Sequence, residues 1–182
     1  MLRFLQERGP DAAEVETLLD LAFAPGRELL SSYQLRAGVA PVAELCQIVR
    51  DDYDTLVGCI RYWPVMIGGS DGPAGAAREP GWPALLLGPI AVHPIRQGEG
   101  IGAALMRDTL SAATASGWAR VLLVGDAPYY TQFGFSRAAA QGLVFPQPVN
   151  EARVLARALV PGGMAGVSGP VHSWPDPAAK RH

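Results

Sequence analysis

"IAVHPIRQGEGIGAALM", residues 90–106, joins an apolar run to a helix-like one through Gly98, Gly100 and Gly102. Upstream, "ALLLGPIAV" (84–92) is apolar on both faces, the pattern of a buried central strand. Downstream, Leu105, Thr109, Leu110 and Ala113 recur at helical spacing until Gly117, and "ARVLLVG" (119–125) supplies a second buried strand. Strand, loop, helix and strand form a β-α-β unit whose two strands are parallel and joined by a right-handed crossover. The glycines alone would also serve a plain strand-to-helix turn. Three details favour an anion cradle. The loop opens directly into a helix whose first amides lack partners. Alternate glycines remove the side chains that would keep a phosphate from the backbone. Arg96 and Gln97 add a charge and a polar amide at the rim. There is no Gly-Lys-Ser/Thr ending of a nucleotide-triphosphate loop. The first glycine, six residues beyond Val92, comes too late for a dinucleotide fingerprint.

The flanking chain supplies the rest of one sheet. "LRFLQER" reads as a short strand, and "PDAAEVETLLDLAFAPG" as a helix. Asp11 caps that helix with Glu14 in a capping box, and Pro25-Gly26 stops it. "RELLSSYQLRAG" (27–38) reads as a second helix. "AELCQIVRD" and "TLVGCIRYWPVMIGG" form an antiparallel hairpin around the polar "DDYD" at 51–54. Residues 68–83, rich in Gly, Pro and Ala without periodicity, read as a loop. "EARVLARALVPGG" is a last, exposed strand, an edge that leaves room for a homodimer without deciding the oligomeric state. The expectation is an α/β (α+β) fold with a mixed central sheet, one domain over 1–165, and a C-terminal tail over 166–182.

The whole chain has 182 residues, 49% of them hydrophobic, enough for one sizeable core. A formal charge of -2, without basic-aromatic runs, points away from nucleic acid and anionic membranes. The longest apolar run is far short of a bilayer span, and "MLRFLQERGP" lacks the apolar core of a secretion signal, so a cytoplasmic protein is expected. Cys46 and Cys59 lie about equally far from the hairpin turn and could face one another, although two cysteines in a cytosolic chain usually stay reduced and buried. The three His are scattered, and no metal site is expected.

"VHPIRQGEGIG" resembles the Gln/Arg-x-x-Gly-x-Gly/Ala signature of the GNAT superfamily of acyl-CoA-dependent N-acyltransferases, with Gln97, Gly100 and Gly102 at the signature positions. "YYTQFGF" is similar to the family's Tyr-x-x-x-Gly-Phe element, with Tyr130, Gly134 and Phe135 in place. The layout agrees over about residues 1–160, and the "GD-x-P-Tyr-Tyr" context and "VPGGMAGVSG" ending resemble the YhbS-like branch of that superfamily. The resemblance implies parallel strands that splay apart and admit the pantetheine of coenzyme A. Backbone groups of Ile90, Ala91 and Val92 would pair with it as a strand would. The amides of Gln97, Gly98, Glu99, Gly100, Ile101 and Gly102 would receive the pyrophosphate.

The implied reaction is direct attack of an amine on the acetyl-CoA thioester, without an acyl-enzyme and without metal. Tyr130 is the candidate general acid for the departing thiolate, and its neighbour Tyr129 is expected to point elsewhere. Strand 84–92 carries no carboxylate; Glu44 and His93 are conceivable bases, and the base stays unassigned. Glu99 is expected to face water. Tyr33, Tyr62, Trp63 and Trp82 could line the acceptor site or serve as core. The lack of an acidic cluster speaks against polyamines, leaving a small-molecule or peptide amine as partner. A non-catalytic acyl-CoA-binding or regulatory module is the alternative, and a purely structural role for the glycines the third reading.

Overall fold

The computed structural model describes residues 1–69 and 81–174; most of the loop expected at 68–83 falls outside that set. One path of hydrogen-bonded strands runs β1 (Arg3–Gln6), β2 (Gln47–Arg50), β3 (Leu56–Ile67), β4 (Trp82–Val92), β5 (Arg120–Val124) and β7 (Val154–Ala158). All neighbours are antiparallel except β4 and β5, which are parallel, so the sheet is mixed as expected. The hairpin pairs Ile48 with Cys59, which leaves Cys46 two residues out of register; both thiols are buried and free.

The strands alternate between two apolar layers, as the period of two requires. Leu85, Leu87, Val121 and Leu123 meet one face of helix α3 (Ile101–Ala115), which contributes Leu105, Met106, Leu110 and Ala113. On the opposite face, helix α1 (Ala12–Ala22) packs Val15, Leu18 and Leu19 on Ile48, Cys59 and Ala91. The remainder of that face, with Leu86 and Leu122, is covered by Leu35, Leu143, Phe145 and Val167.

Local details depart from the sequence reading. Asp11 makes no side-chain bond to the start of α1. Its carboxylate accepts from the Arg8 amide (2.8 Å) and from Arg50 Nη2 (2.9 Å), while Glu14 takes both terminal nitrogens of Arg50. A buried arginine on β2 outcompetes the cap, because a charge-assisted pair is stronger than a neutral amide bond. The second helix is broken: an extended Leu30 separates a single turn, Arg27–Leu29, from the short α2 (Ser31–Gln34).

The C-terminal segment is not a tail throughout. Gly169–Ser173 form β8, which pairs with the far half of β3 and with the short β6 (Leu143–Val144). Strand β3 thus carries β2 along its first half and β8 along its second. The outer edge of β7 is also less open than expected, since Ser136 and Ala156 exchange backbone hydrogen bonds of 3.0 Å there.

Candidate active site

Strands β4 and β5 pair only at Leu85–Val121 and Leu86–Leu122. Beyond Leu86 the two diverge, and β4 from Leu87 to Val92 has a strand partner only on its β3 side. The cause lies in β4 itself. Between the pairs Tyr62–Leu87 and Ile60–Ile90, two residues of β4, Gly88 and Pro89, oppose Arg61 alone. Such a bulge bends its strand and increases local twist. Gly88 adopts φ +120°, a conformation that side-chain-bearing residues rarely take, and Pro89 brings no ladder donor.

The gap opens into a cavity of about 470 Å³. Ile90, Ala91 and Val92 form one wall, Gln97, Gly98, Gly100, Ile101 and Gly102 the loop end, and Tyr129 and Tyr130 the opposite side. The loop turns on Gly98 and Gly100, both left-handed, and Gly100 is the N-cap of α3 without any side-chain cap. The first amides of a fifteen-residue helix are therefore left for whatever occupies the cavity. Nothing lies within 4 Å of where a side chain at Gly98 or Gly100 would begin, so the mouth is open there.

Of the cofactor-binding residues expected from sequence, only Glu99 does not line this cavity. Its carboxylate turns back to Arg96, with Oε1 2.8 Å from Nε, an ion pair lacking hydrogen-bond alignment. Gln97 also folds inward, its amide nitrogen donating to the Val92 carbonyl at 3.4 Å.

Tyr130 sits on the short helix α4 (Ala127–Tyr130), where its ring lies on the backbone of Gly125; a Cβ at Gly125 would overlap it. Tyr129 and Phe135 meet that ring edge-on. Burial, with the neighbouring Tyr129 and Asp126 adding to it, pushes the Tyr130 hydroxyl up to about 12. It is a phenol held in its proton-bearing form. Contrary to the expectation from sequence, Tyr129 does not point elsewhere. It shares the wall, and its hydroxyl comes within 2.8 Å of the place a Cβ on Gly102 would take. Gly102 is small because a tyrosine leans across the first turn of α3.

A second cavity, of about 260 Å³, adjoins the first through Ile90, Tyr129 and Tyr130. Phe23, Arg27, Leu30, Tyr33 and Arg36 form its α1–α2 side; the Gly88–Pro89 bulge, Asp126 and Arg153 form the other. Of the aromatics expected at an acceptor site, Tyr33 alone lines it. Tyr62 is core, its hydroxyl bonded to Thr109 Oγ1 at 2.8 Å. Trp63 is core with the Arg36 guanidinium over its ring, and Trp82 packs at the start of β4. Neither Glu44 nor His93 lines either cavity; the His93 ring accepts from the Ile95 amide. Burial pushes the Cys46 and Cys59 thiols up to about 11 and about 12, so neither is an activated nucleophile. Among the described residues, no group of His, Cys, Asp and Glu could hold a metal ion.

A sheet opened between two parallel strands, with an uncapped helix at the mouth, is the frame on which acyl-CoA-dependent transferases are built. Residues 43–137 match the family model of the acetyltransferase (GNAT) domain, and the chain belongs to that family. It is 27% identical to the N-acetyltransferase YhbS of Escherichia coli K12 over 159 residues, which cover 87% of this chain and 88% of YhbS. The crystal structure of E. coli YhbS in complex with CoA has a TM-score of 0.74 at 25% identity, covering 96% of this chain and 89% of that one. A GNAT-family acetyltransferase from Brucella melitensis, in complex with acetyl-CoA, has a TM-score of 0.67 at 27% identity, covering 96% of both chains. No described helix is long and apolar enough to cross a membrane.

Proposed function

We propose that the protein transfers an acetyl group from acetyl-CoA to a primary amine by direct attack. The observation that carries this reading is the cavity between β4 and β5, which runs from unpaired strand backbone to the uncapped start of α3 with Tyr130 on its wall. The residues fit the donor. Backbone of Ile90, Ala91 and Val92 offers strand-like hydrogen bonds to pantetheine amides. The amides from Gln97 to Gly102, aided by Arg96, suit a pyrophosphate. The relatives crystallised with CoA and with acetyl-CoA support the same assignment.

Bound acetyl-CoA supplies the thioester. The chain's part is to position it, to offer a β4 backbone amide to its carbonyl oxygen, and to hold the Tyr130 proton for the leaving sulfur. No acyl-enzyme is needed, in keeping with the high thiol pKa values. The buried free thiols also suit a reducing compartment, the cytoplasm. A non-catalytic acyl-CoA-binding module would retain the cradle; the protonated tyrosine between the two cavities favours the enzyme. Thiol release from acetyl-CoA across a panel of amines, alongside calorimetry with CoA, tests the reading. CoA binding with amine-dependent thiol release is expected. Binding without release from any amine would leave the module reading, and absence of binding would overturn both.

A further inference from the structure

Three arginines line the smaller cavity, and two of them are spoken for. Arg27 is paired with Asp20 and with Glu16 (2.7 Å), and its Nε donates to the Tyr33 hydroxyl at 3.1 Å. Arg153 is 3.2 Å from Asp126. Arg36 differs. Among the described residues it has no carboxylate partner, and its Nε and Nη1 are sealed from solvent without any hydrogen-bond acceptor. Its guanidinium lies over the rings of Tyr33 (4.3 Å) and Trp63 (4.9 Å), which hold it at the cavity wall. Nη2 points toward the bulge, 3.5 Å from where a Cβ on Gly88 would stand. Two sealed guanidinium nitrogens without an acceptor are costly even in a half-buried arginine, and such an orphan in a cavity wall calls for an explanation. Burial and the cation of Arg61, itself held by Glu7 and Glu16, work against its charge, and the Tyr33 phenol and Glu16 favour it.

We infer that Arg36 recognises a carboxylate on the acceptor, so that the acceptor is a small amino acid-like amine whose apolar part rests on Phe23 and Leu30. This rests on the acetyl-transfer reading above and adds the substrate class to it. The planar guanidinium fork matches a carboxylate in two parallel hydrogen bonds. One uncompensated positive charge is balanced by a monoanion; a phosphate monoester would bring a second negative charge, while Arg27 and Arg153 are already paired. Phe23 and Leu30 lie at the mouth, partly solvent-exposed despite being large and apolar. The volume, about 260 Å³, is below the usual range for drug-sized ligands and suits a single amino acid rather than a folded protein.

The test uses matched acceptors that share one side chain: leucine, leucinamide and isoamylamine, then phenylalanine with its amide and phenethylamine, with phosphoethanolamine as the phosphate arm. Thiol release with acetyl-CoA is read as kcat/KM. The acid should exceed its amide by at least about 10-fold, mostly through KM. In Arg36→Met that ratio should fall to near one, and Arg36→Lys should restore part of it; CoA titration reports that each variant is folded. If Arg36→Met does not fold, the wild-type acid-to-amide ratio and the lysine variant decide the matter. Wild-type enzyme that uses amides or decarboxylated amines as well as acids overturns the carboxylate while leaving acetyl transfer intact. Preference for phosphoethanolamine overturns it in favour of phosphate. Absence of turnover with every amine removes the acetyl-transfer reading and this one with it.

Discussion

Tyr130 owes its position to Gly125, whose missing side chain lets the ring settle on the end of β5. Its hydroxyl, pushed up to about 12, keeps its proton where an ordinary tyrosine would lose it near 10. Tyr130→Phe should therefore lower kcat by roughly 10²- to 10⁴-fold with little change in the CoA dissociation constant. In the wild type, kcat measured from pH 8 to 10 should show no tyrosine-like loss. Tyr130 could be read from sequence because its spacing to Gly134 and Phe135 is a linear signal. Tyr129 could not, because which of two adjacent tyrosines faces a cleft depends on the phase of one short helical turn. Arg36 left no trace either: its isolation exists only after Tyr33 and Trp63 have closed on it from separate elements.

At the scale of elements, the glycine loop and α1 each use charge in a way the sequence did not reveal. Glu99 partly neutralises Arg96 at the cavity rim. Glu99→Gln should tighten CoA binding about 2- to 5-fold at low salt, an effect that calorimetry at high salt should find screened away. On β2, Arg50 locks α1 to the sheet through Asp11, Glu14 and the Asp54 carbonyl. Its hydrogen bonds are the largest cause holding both carboxyls below their usual values. Because those folded-state pKa values are depressed, the stabilisation is complete above the ordinary values near 4 and is lost as pH falls through the lowered ones. Arg50→Met should cost about 2 kcal/mol at pH 7, with Glu14 half exposed to solvent, and should flatten the decline in urea midpoints between pH 5 and 3. The β-α-β unit was legible because period and punctuation agree along it. The bulge was legible in principle, since Gly-Pro inside an otherwise apolar strand is its signature. The break at Leu30 was not, because "RELLSSYQLRAG" carries no Pro or Gly within it to mark a stop.

Across the whole molecule, the mixed sheet followed from sequence, whereas the seating of the last segment did not. Its strand is five residues long and gains meaning only against the second half of β3, about a hundred residues earlier. Val167 and Val171 are buried under that face. A chain ending at residue 165 should lose them together with β8, lowering the thermal midpoint by several degrees or more and exposing apolar surface to dye binding. An unchanged midpoint would show that β8 contributes nothing to the fold. The wall formed by Ile90, Tyr129 and Tyr130 bounds both cavities, the one proposed for the donor and the one proposed for the acceptor. Any carbon added to the transferred group must intrude on room kept for the amine. Donor length and acceptor bulk are thus rivals for one space, and the bend that admits the thioester also rations the size of what can be made.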